Sequence, residues 1–282
     1  NNDWGRDIIQ TQDGNYVVTG TWNDDGWNST AALRKYDSNG ELMWMNNYNN
    51  STANESYEII ETSDGDLVFA GYSGTQHGDY KWFMVKTDSD GNIEWSLVEE
   101  SPNNNNDWAR DVVQTDDGNY VVTGTWNDDG WNSKAALRKY NSSGELMWAY
   151  NYSSSVANEA YEILETDEGD LVFAGYSGTQ HGDYKFFIVK TDADGNQIWK
   201  KAKSSIGDAI LYSLCEAPDG GYVAAVNRVG IEKQGSKKIE FCSSNNPVIP
   251  INAGVFTIFF LILRIVAFSF SISENSILFI LV

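Results

Sequence analysis

The chain has 282 residues, enough for one or two ordinary domains or for one repeat domain with an appendage. Its 40 acidic and 19 basic side chains leave a formal net charge of −21, a surface that repels phosphate backbones, so nucleic acid is not an expected partner. Only two cysteines occur, Cys215 and Cys242, both late in the chain, so the segments before them must hold by packing without a disulfide framework.

The chain opens at Asn1 with no Met and no charged-then-apolar leader, as expected of a processed or partial sequence. From there NNDWGRDIIQT around Trp4 returns as NNDWARDVVQT around Trp108, a spacing of 104 residues, and the likeness continues through the unit. Each long unit divides again: Trp44 to Trp95, Trp148 to Trp199 and Tyr161 to Tyr212 are all 51 residues apart. The last of these opens a fifth copy, YSLCEAPDGGYVAAVN. Within a unit, VVTG, LVFAG and FMVK are β-branched, aromatic and too short for helices, and they are apolar on both faces of the pleat. Between them stand Asp-Gly and Asn-Gly pairs such as Asp13-Gly14, Asn39-Gly40, Asp64-Gly65, Asp90-Gly91 and Asp194-Gly195, which tolerate positive φ and suit tight hairpins. Four antiparallel strands per unit, repeated radially, predict an all-β fold, a β-propeller, with blades at 1–50, 51–101, 102–154 and 155–205 and a partial fifth at 206–243.

The closing strand of each unit ends in a tryptophan: Trp44, Trp95, Trp148 and Trp199. Each follows a turn of the form Asp/Asn-x-x-Gly, as in KYDSNGELMW and KTDSDGNIEW. A tryptophan there can bury roughly 150–250 Å², worth roughly 4–6 kcal/mol per blade as an upper figure, which predicts a structural lock between blades. This repeat resembles the tandem propeller repeats of microbial secreted and cell-surface proteins. Its Gly-x-x-x-Trp hairpin is similar to the tryptophan-docking motif of quinoprotein-type propellers. The resemblance covers roughly residues 1–227 and implies the fold; the Thr that usually precedes that Gly is replaced by Asn, Asp or Ser. Vicinal cysteines of the kind some quinoproteins place at their cofactor are missing too, so no quinone or other cofactor is expected.

The fifth copy decays after Asn227, with KKIEFCS as a candidate third strand and no closing Trp. Residues 244–282 form a hydrophobic tail, and thirteen of the 18 residues from Val255 to Ile272 are Val, Ile, Leu or Phe. On an insertion scale these are worth about −4 to −8 kcal/mol, opposed by roughly 2.5–3.5 from Arg264, so 255–272 reads as a membrane anchor. Lys233, Lys237 and Lys238 on the propeller side argue the other way, and the abrupt change of composition also fits a gene-model artefact. With no segment left to complete the fifth copy, an open arc is expected, or one finished by missing blades of a longer parent chain.

The long connections on one propeller face are the candidate binding elements. Odd blades offer Trp22, Asn23, Asp24, Asp25 and Trp27, repeated as Trp126, Asn127, Asp128, Asp129 and Trp131. Even blades offer Gln76, His77, Asp79 and Tyr80, repeated as Gln180, His181, Asp183 and Tyr184. Aromatic faces beside carboxylates and amides suit sugars; the same residues equally read as Asx turns and rings that cap the blade core. Each His stands alone in its loop, with no metal or triad spacing, so no catalytic or metal-ligating residue is assigned. DSDGN (Asp88, Asp90, Asn92) and DADGN (Asp192, Asp194, Asn196) lack the later acidic ligand of a calcium loop and read as hairpin turns. Sequons at Asn28, Asn49, Asn50, Asn54, Asn141 and Asn151 add weak support for export. Together these predict a non-catalytic extracellular or cell-surface module binding a protein or glycan through its long-loop face. The alternatives are a propeller glycan hydrolase or lyase, disfavoured because near-identical duplicated loops do not assemble distinct groups at one centre, and a structural spacer.

Overall fold

In the computed structural model, residues 3–23, 28–75, 78–102, 106–127, 132–153, 157–179, 182–203, 208–217, 220–229, 240–243, 246–250 and 277–281 are described. The first sheet holds β1–β4 (Trp4–Gln10, Tyr16–Trp22, Thr30–Tyr36, Leu42–Tyr48) and the second β5–β8 (Ala53–Glu61, Leu67–Thr75, Gly78–Thr87, Ile93–Glu99). The third holds β9–β12 (Trp108–Gln114, Tyr120–Trp126, Lys134–Tyr140, Leu146–Tyr152) and the fourth β13–β16 (Ala157–Glu165, Leu171–Thr179, Gly182–Thr191, Gln197–Lys203). All four are antiparallel meanders in sequence order. Their first strands pack side by side, β1 on β5, β5 on β9, β9 on β13, so these strands surround the axis of a β-propeller.

The turns form for a repeated reason. Thr11 accepts the Gly14 N–H on its carbonyl and donates its own N–H to the Asn15 carbonyl, and Thr62, Thr115 and Thr166 do the same. At the hairpin between third and fourth strands, Asp88 takes the N–H groups of Asp90 and Asn92 on one carboxylate oxygen at 3.0 and 2.8 Å, and Asp192 matches it. These acids are spent on the backbone, as the sequence reading of plain turns expects.

One junction is used four times. Val17, Ala31 and Leu33 of the first sheet meet Leu67, Phe69 and Phe83 of the second. Val68, Trp82 and Met84 then meet Tyr120, Val122 and Tyr140, and the third and fourth sheets, then the fourth and fifth, repeat the scheme. The closing tryptophans sit at these junctions. Trp44 lies against Gly91 of the next sheet and Trp95 against Gly144, each glycine at positive φ with the ring 3.1 Å from where a Cβ would stand. Trp95 Nε1 also donates to the Ser142 carbonyl at 3.1 Å. The rings are half-buried, not fully enclosed, so each contributes less than the full-burial figure.

The fifth sheet departs from expectation. Beside β17 (Asp208–Glu216) and β18 (Tyr222–Val229) the third strand is β21 (Ile277–Leu281), drawn from the hydrophobic tail, and not KKIEFCS. Instead β19 (Glu240–Ser243) pairs with β20 (Asn246–Pro250) in a separate hairpin. The apolar, strand-forming ILFIL meets the open edge of β18, so residues 277–281 belong to the repeat domain and are not a detached appendage. Residues 255–272, the expected anchor, lie outside the described residues; among the described residues no helix is long and apolar enough to cross a membrane. The fifth sheet packs on the fourth, and the five sheets form an open arc, four complete blades and a partial fifth.

Candidate functional site

Every axial strand carries the same irregularity. Pairing with the second strand skips one residue: Arg6 in β1, Tyr57 in β5, Arg110 in β9, Tyr161 in β13 and Tyr212 in β17. A β-bulge of this kind leaves the extra residue unpaired and re-aims side chains. In the first four sheets a glycine stands opposite the bulge, and in the fifth Val226 takes that place. A Cβ on Gly20, Gly71, Gly124 or Gly175 would lie 2.0 Å or less from the carbonyl oxygen of Trp4, Glu55, Trp108 or Glu159.

The bulge residues make a continuous ladder around the axis. Arg6 lies 5.3 Å from the Tyr57 ring, and Arg110 lies 4.7 Å from Tyr57 and 5.2 Å from Tyr161. The Tyr161 and Tyr212 centroids are 5.0 Å apart. Each arginine also has an acid: Arg6 pairs with Glu55 at 2.8 Å and Arg110 with Glu159 at 3.6 Å. Burial works against the Arg110 charge, but Tyr57 and Glu159 more than offset it and its pKa rises. Burial pushes the Tyr57 hydroxyl up to about 12.

The residue after each bulge is Asp7, Glu58, Asp111, Glu162 or Ser213, so four carboxyl groups gather on the same ring. Asp111 is buried; its oxygens accept the N–H groups of Val112 and of Ile163 in the next sheet, both at 2.6 Å. Asp7 accepts the Ile59 N–H at 3.3 Å, so both aspartates tie one axial strand to the next. Burial raises Asp111 to about 7, against the pull of those donors. Glu58 and Glu162 are raised well above the usual carboxylate range, first by burial and then by Asp111 and Asp7. Burial and neighbouring charge thus favour the protonated form of both glutamates, the kind of raised carboxyl that acid–base chemistry uses.

The axial set was not among the residues singled out from sequence. Its signal was present: RDIIQ, YEIIE, RDVVQ, YEILE and YSLCE place a polar pair at one repeat position next to apolar strand residues. The loop residues fare differently. Asp24, Asp25, Trp27, Gln76, His77, Asp128, Asp129, Trp131, Gln180 and His181 lie outside the described residues. Trp22 is exposed, with Arg34 4.8 Å from its ring, whereas Trp126 is buried, edge-on to Trp82 with Arg138 3.9 Å away. As a blade-junction ring, Trp126 has no face to offer a sugar. Asn23 and Asn127 donate their N–H groups to Asp3 and Asp107 at 2.9 and 2.7 Å, and Asp107, buried, rises to about 6. Tyr80 and Tyr184 pack on Tyr72 and Tyr176 at 4.4 and 4.6 Å. Asp79 and Asp183 have φ of 63° and 58°, a conformation few non-glycine residues adopt.

No family model matches the chain, and no curated protein matches it. Among solved structures, a protein of unknown function from Bacteroides caccae overlays with a TM-score of 0.49 at 12% identity, over 83% of this chain and 73% of that one. An endo-arabinase from Bacteroides thetaiotaomicron gives 0.48 at 12%, over 80% and 89% of the two chains. An endo-1,4-β-xylanase from the same organism gives 0.47 at 11%, over 87% and 93%. At this identity and overlap these likenesses assign no activity to the chain.

Proposed function

We propose that the chain is an extracellular, carbohydrate-active propeller that hydrolyses glycosidic bonds at its axis. The observation that carries this is the ring of four carboxyl groups, Asp7, Glu58, Asp111 and Glu162, at the residue after each axial bulge, in which burial and mutual charge raise Glu58 and Glu162 well above the usual carboxylate range. Glycoside hydrolysis needs one carboxylic acid to protonate the leaving oxygen and one carboxylate to act as base or nucleophile. In this reading Glu58 is the acid and Asp7 its partner, with Asp111 a positioning residue because both its oxygens are held by backbone N–H groups. The duplication that seemed to disfavour catalysis is broken here. Asp111 is held by the N–H groups of both Val112 and Ile163 at 2.6 Å, whereas its counterpart Asp7 accepts that of Ile59 at 3.3 Å, and Ser213 stands in the fifth strand where the others carry an acid.

Reducing-sugar release from arabinan, xylan and galactan tests the proposal. Release from one of them that falls by about 10²-fold or more in Glu58→Gln, with binding retained, is the expected result. Absence of turnover on a broad polysaccharide panel would remove it.

A second reading, non-catalytic binding of a protein or glycan through the long-loop face, is favoured by the backbone at Asp79 and Asp183. Residues held at positive φ cluster at ligand clamps. A glycan array in which Glu58→Gln binds as tightly as the unaltered chain while Tyr80→Ala does not would favour this face over the axis.

A further inference from the structure

The second, third and fourth sheets show what a blade of this repeat does with each of its faces. The face turned to the following blade presents positions such as Leu164, Val172 and Ala174, which are packed against the fifth sheet. The face turned to the preceding blade presents positions such as Val112, Tyr120, Trp126 and Tyr140, which are packed against the second sheet. Every internal junction joins one face of the first kind to one of the second.

One face of each kind is left over. On the first sheet, Ile8, Tyr16, Trp22 and Tyr36 occupy the positions of Val112, Tyr120, Trp126 and Tyr140, and Ile8 is 45% exposed where Val112 is 2%. On the fifth sheet, Cys215, Val223 and Ala225 occupy the positions of Leu164, Val172 and Ala174; Cys215 is exposed and the other two are half-buried. The arc therefore ends in the two complementary halves of the junction it repeats four times internally. The cover is known for one half, because the third sheet, nearly identical in sequence to the first, wears it.

We infer that a second copy of this chain seats its fifth sheet on the first sheet, head to tail, through Cys215, Val223 and Ala225 against Ile8, Tyr16 and Trp22. Such an interface is heterologous: each copy keeps one free end, so association continues until a ring closes or a filament forms. The charge of −21 per copy opposes it, so added salt strengthens it.

The test is sedimentation velocity of the full chain at rising concentration. The expected result is a weight-average mass that climbs to at least about twice the single-chain value, and climbs earlier in high salt. Ile8→Lys blocks one end and Cys215→Lys the other, both at exposed positions where the fold tolerates change, with circular dichroism as the check on folding. Each variant alone should stay monomeric. An equimolar mixture should form a dimer and nothing larger, because one intact end remains on each partner. A chain that stays monomeric at every concentration overturns the inference, and so does a monomer whose Trp22 is shielded from a soluble quencher, since its own fifth sheet would then be the cover. A mixture that remains monomeric while the unaltered chain associates overturns the head-to-tail geometry.

Discussion

The first and third sheets are nearly one sequence in two settings. Trp22 is 38% exposed and Trp126 8%; Tyr16 and Tyr36 are half-buried, while Tyr120 and Tyr140 are buried. The strands, turns, bulges and pairings are the same in both. What differs is the neighbour. The second sheet puts Trp82 against Trp126, donates the Trp82 Nε1–H to the Thr125 carbonyl at 2.8 Å, and brings Glu99 to the Tyr140 hydroxyl at 3.0 Å. Local structure in this repeat is thus set by the blade's own sequence, whereas its core is set by the junction.

The strongest way to break the comparison is to strip the third sheet of its cover. Trp82 is fully buried, and Trp82→Ala should cost about 3–5 kcal/mol, with the abandoned Thr125 carbonyl adding to the loss. Denaturant melts give the cost, and quenching of the remaining tryptophans should show Trp126 becoming as accessible as Trp22. A loss below about 1 kcal/mol would mean the junction is not the source of the burial.

Next in size is the matched pair Trp126→Ala and Trp22→Ala. Emptying the buried site should cost about 3 kcal/mol, and removing the exposed ring under about 1 kcal/mol. Equal losses in melts of the two variants would show that the sheets differ less than their surroundings suggest.

Much of this arrangement could be read from residues alone. The spacing from Trp44 to Trp95 and from Trp148 to Trp199 gave the blade, and Asp88 and Asp192 gave the turns that the structure confirms. Two things could not be read. The third strand of the fifth sheet comes from Ile277–Leu281, a long-range pairing that no local period announces. The axial carboxyls were passed over because Asp7, Glu58, Asp111 and Glu162 each stand alone beside an apolar pair in a short strand, with no catalytic spacing around them. Only the bulge opposite Gly20, Gly71, Gly124 and Gly175 sets the residue before each carboxyl outside the regular pairing and brings the four strands' acids together.

Those carboxyls give the third test, a difference in pH dependence. Asp111 holds its proton up to about 7 in the folded protein, against about 4 in an unfolded chain. The stability it contributes is full below about pH 4 and is lost as the pH climbs through about 7; Glu58 and Glu162 act in the same direction. Melting temperature should therefore fall from pH 5 to pH 8. Asp111→Asn should narrow that fall by on the order of 2 kcal/mol. Asp7→Asn should narrow it too, because the Asp7 charge is one cause of the raised values at all three groups. A pH profile unchanged in both variants would place the raised acidities elsewhere.

The finest probe removes one oxygen at a time. Tyr140 donates its hydroxyl to Glu99 at 3.0 Å in the covered sheet, and burial pushes that hydroxyl's pKa far up. Tyr36, its counterpart on the first sheet, has no carboxylate of a preceding blade facing it among the described residues. A hydrogen bond to a charged acceptor is worth about 1.5–3 kcal/mol, but Glu99 is half-exposed and recovers water when the hydroxyl leaves, so Tyr140→Phe should cost about 1 kcal/mol. Tyr36→Phe should change stability by no more than about 0.5 kcal/mol. Glu99→Gln separates bond from packing: added to Tyr140→Phe it should cost little more, because the partner it would weaken is already gone. If Tyr36→Phe proved as costly as Tyr140→Phe in the isolated chain, the first sheet's face would already be covered, and the concentration at which that cost disappears would measure how tightly the cover is held.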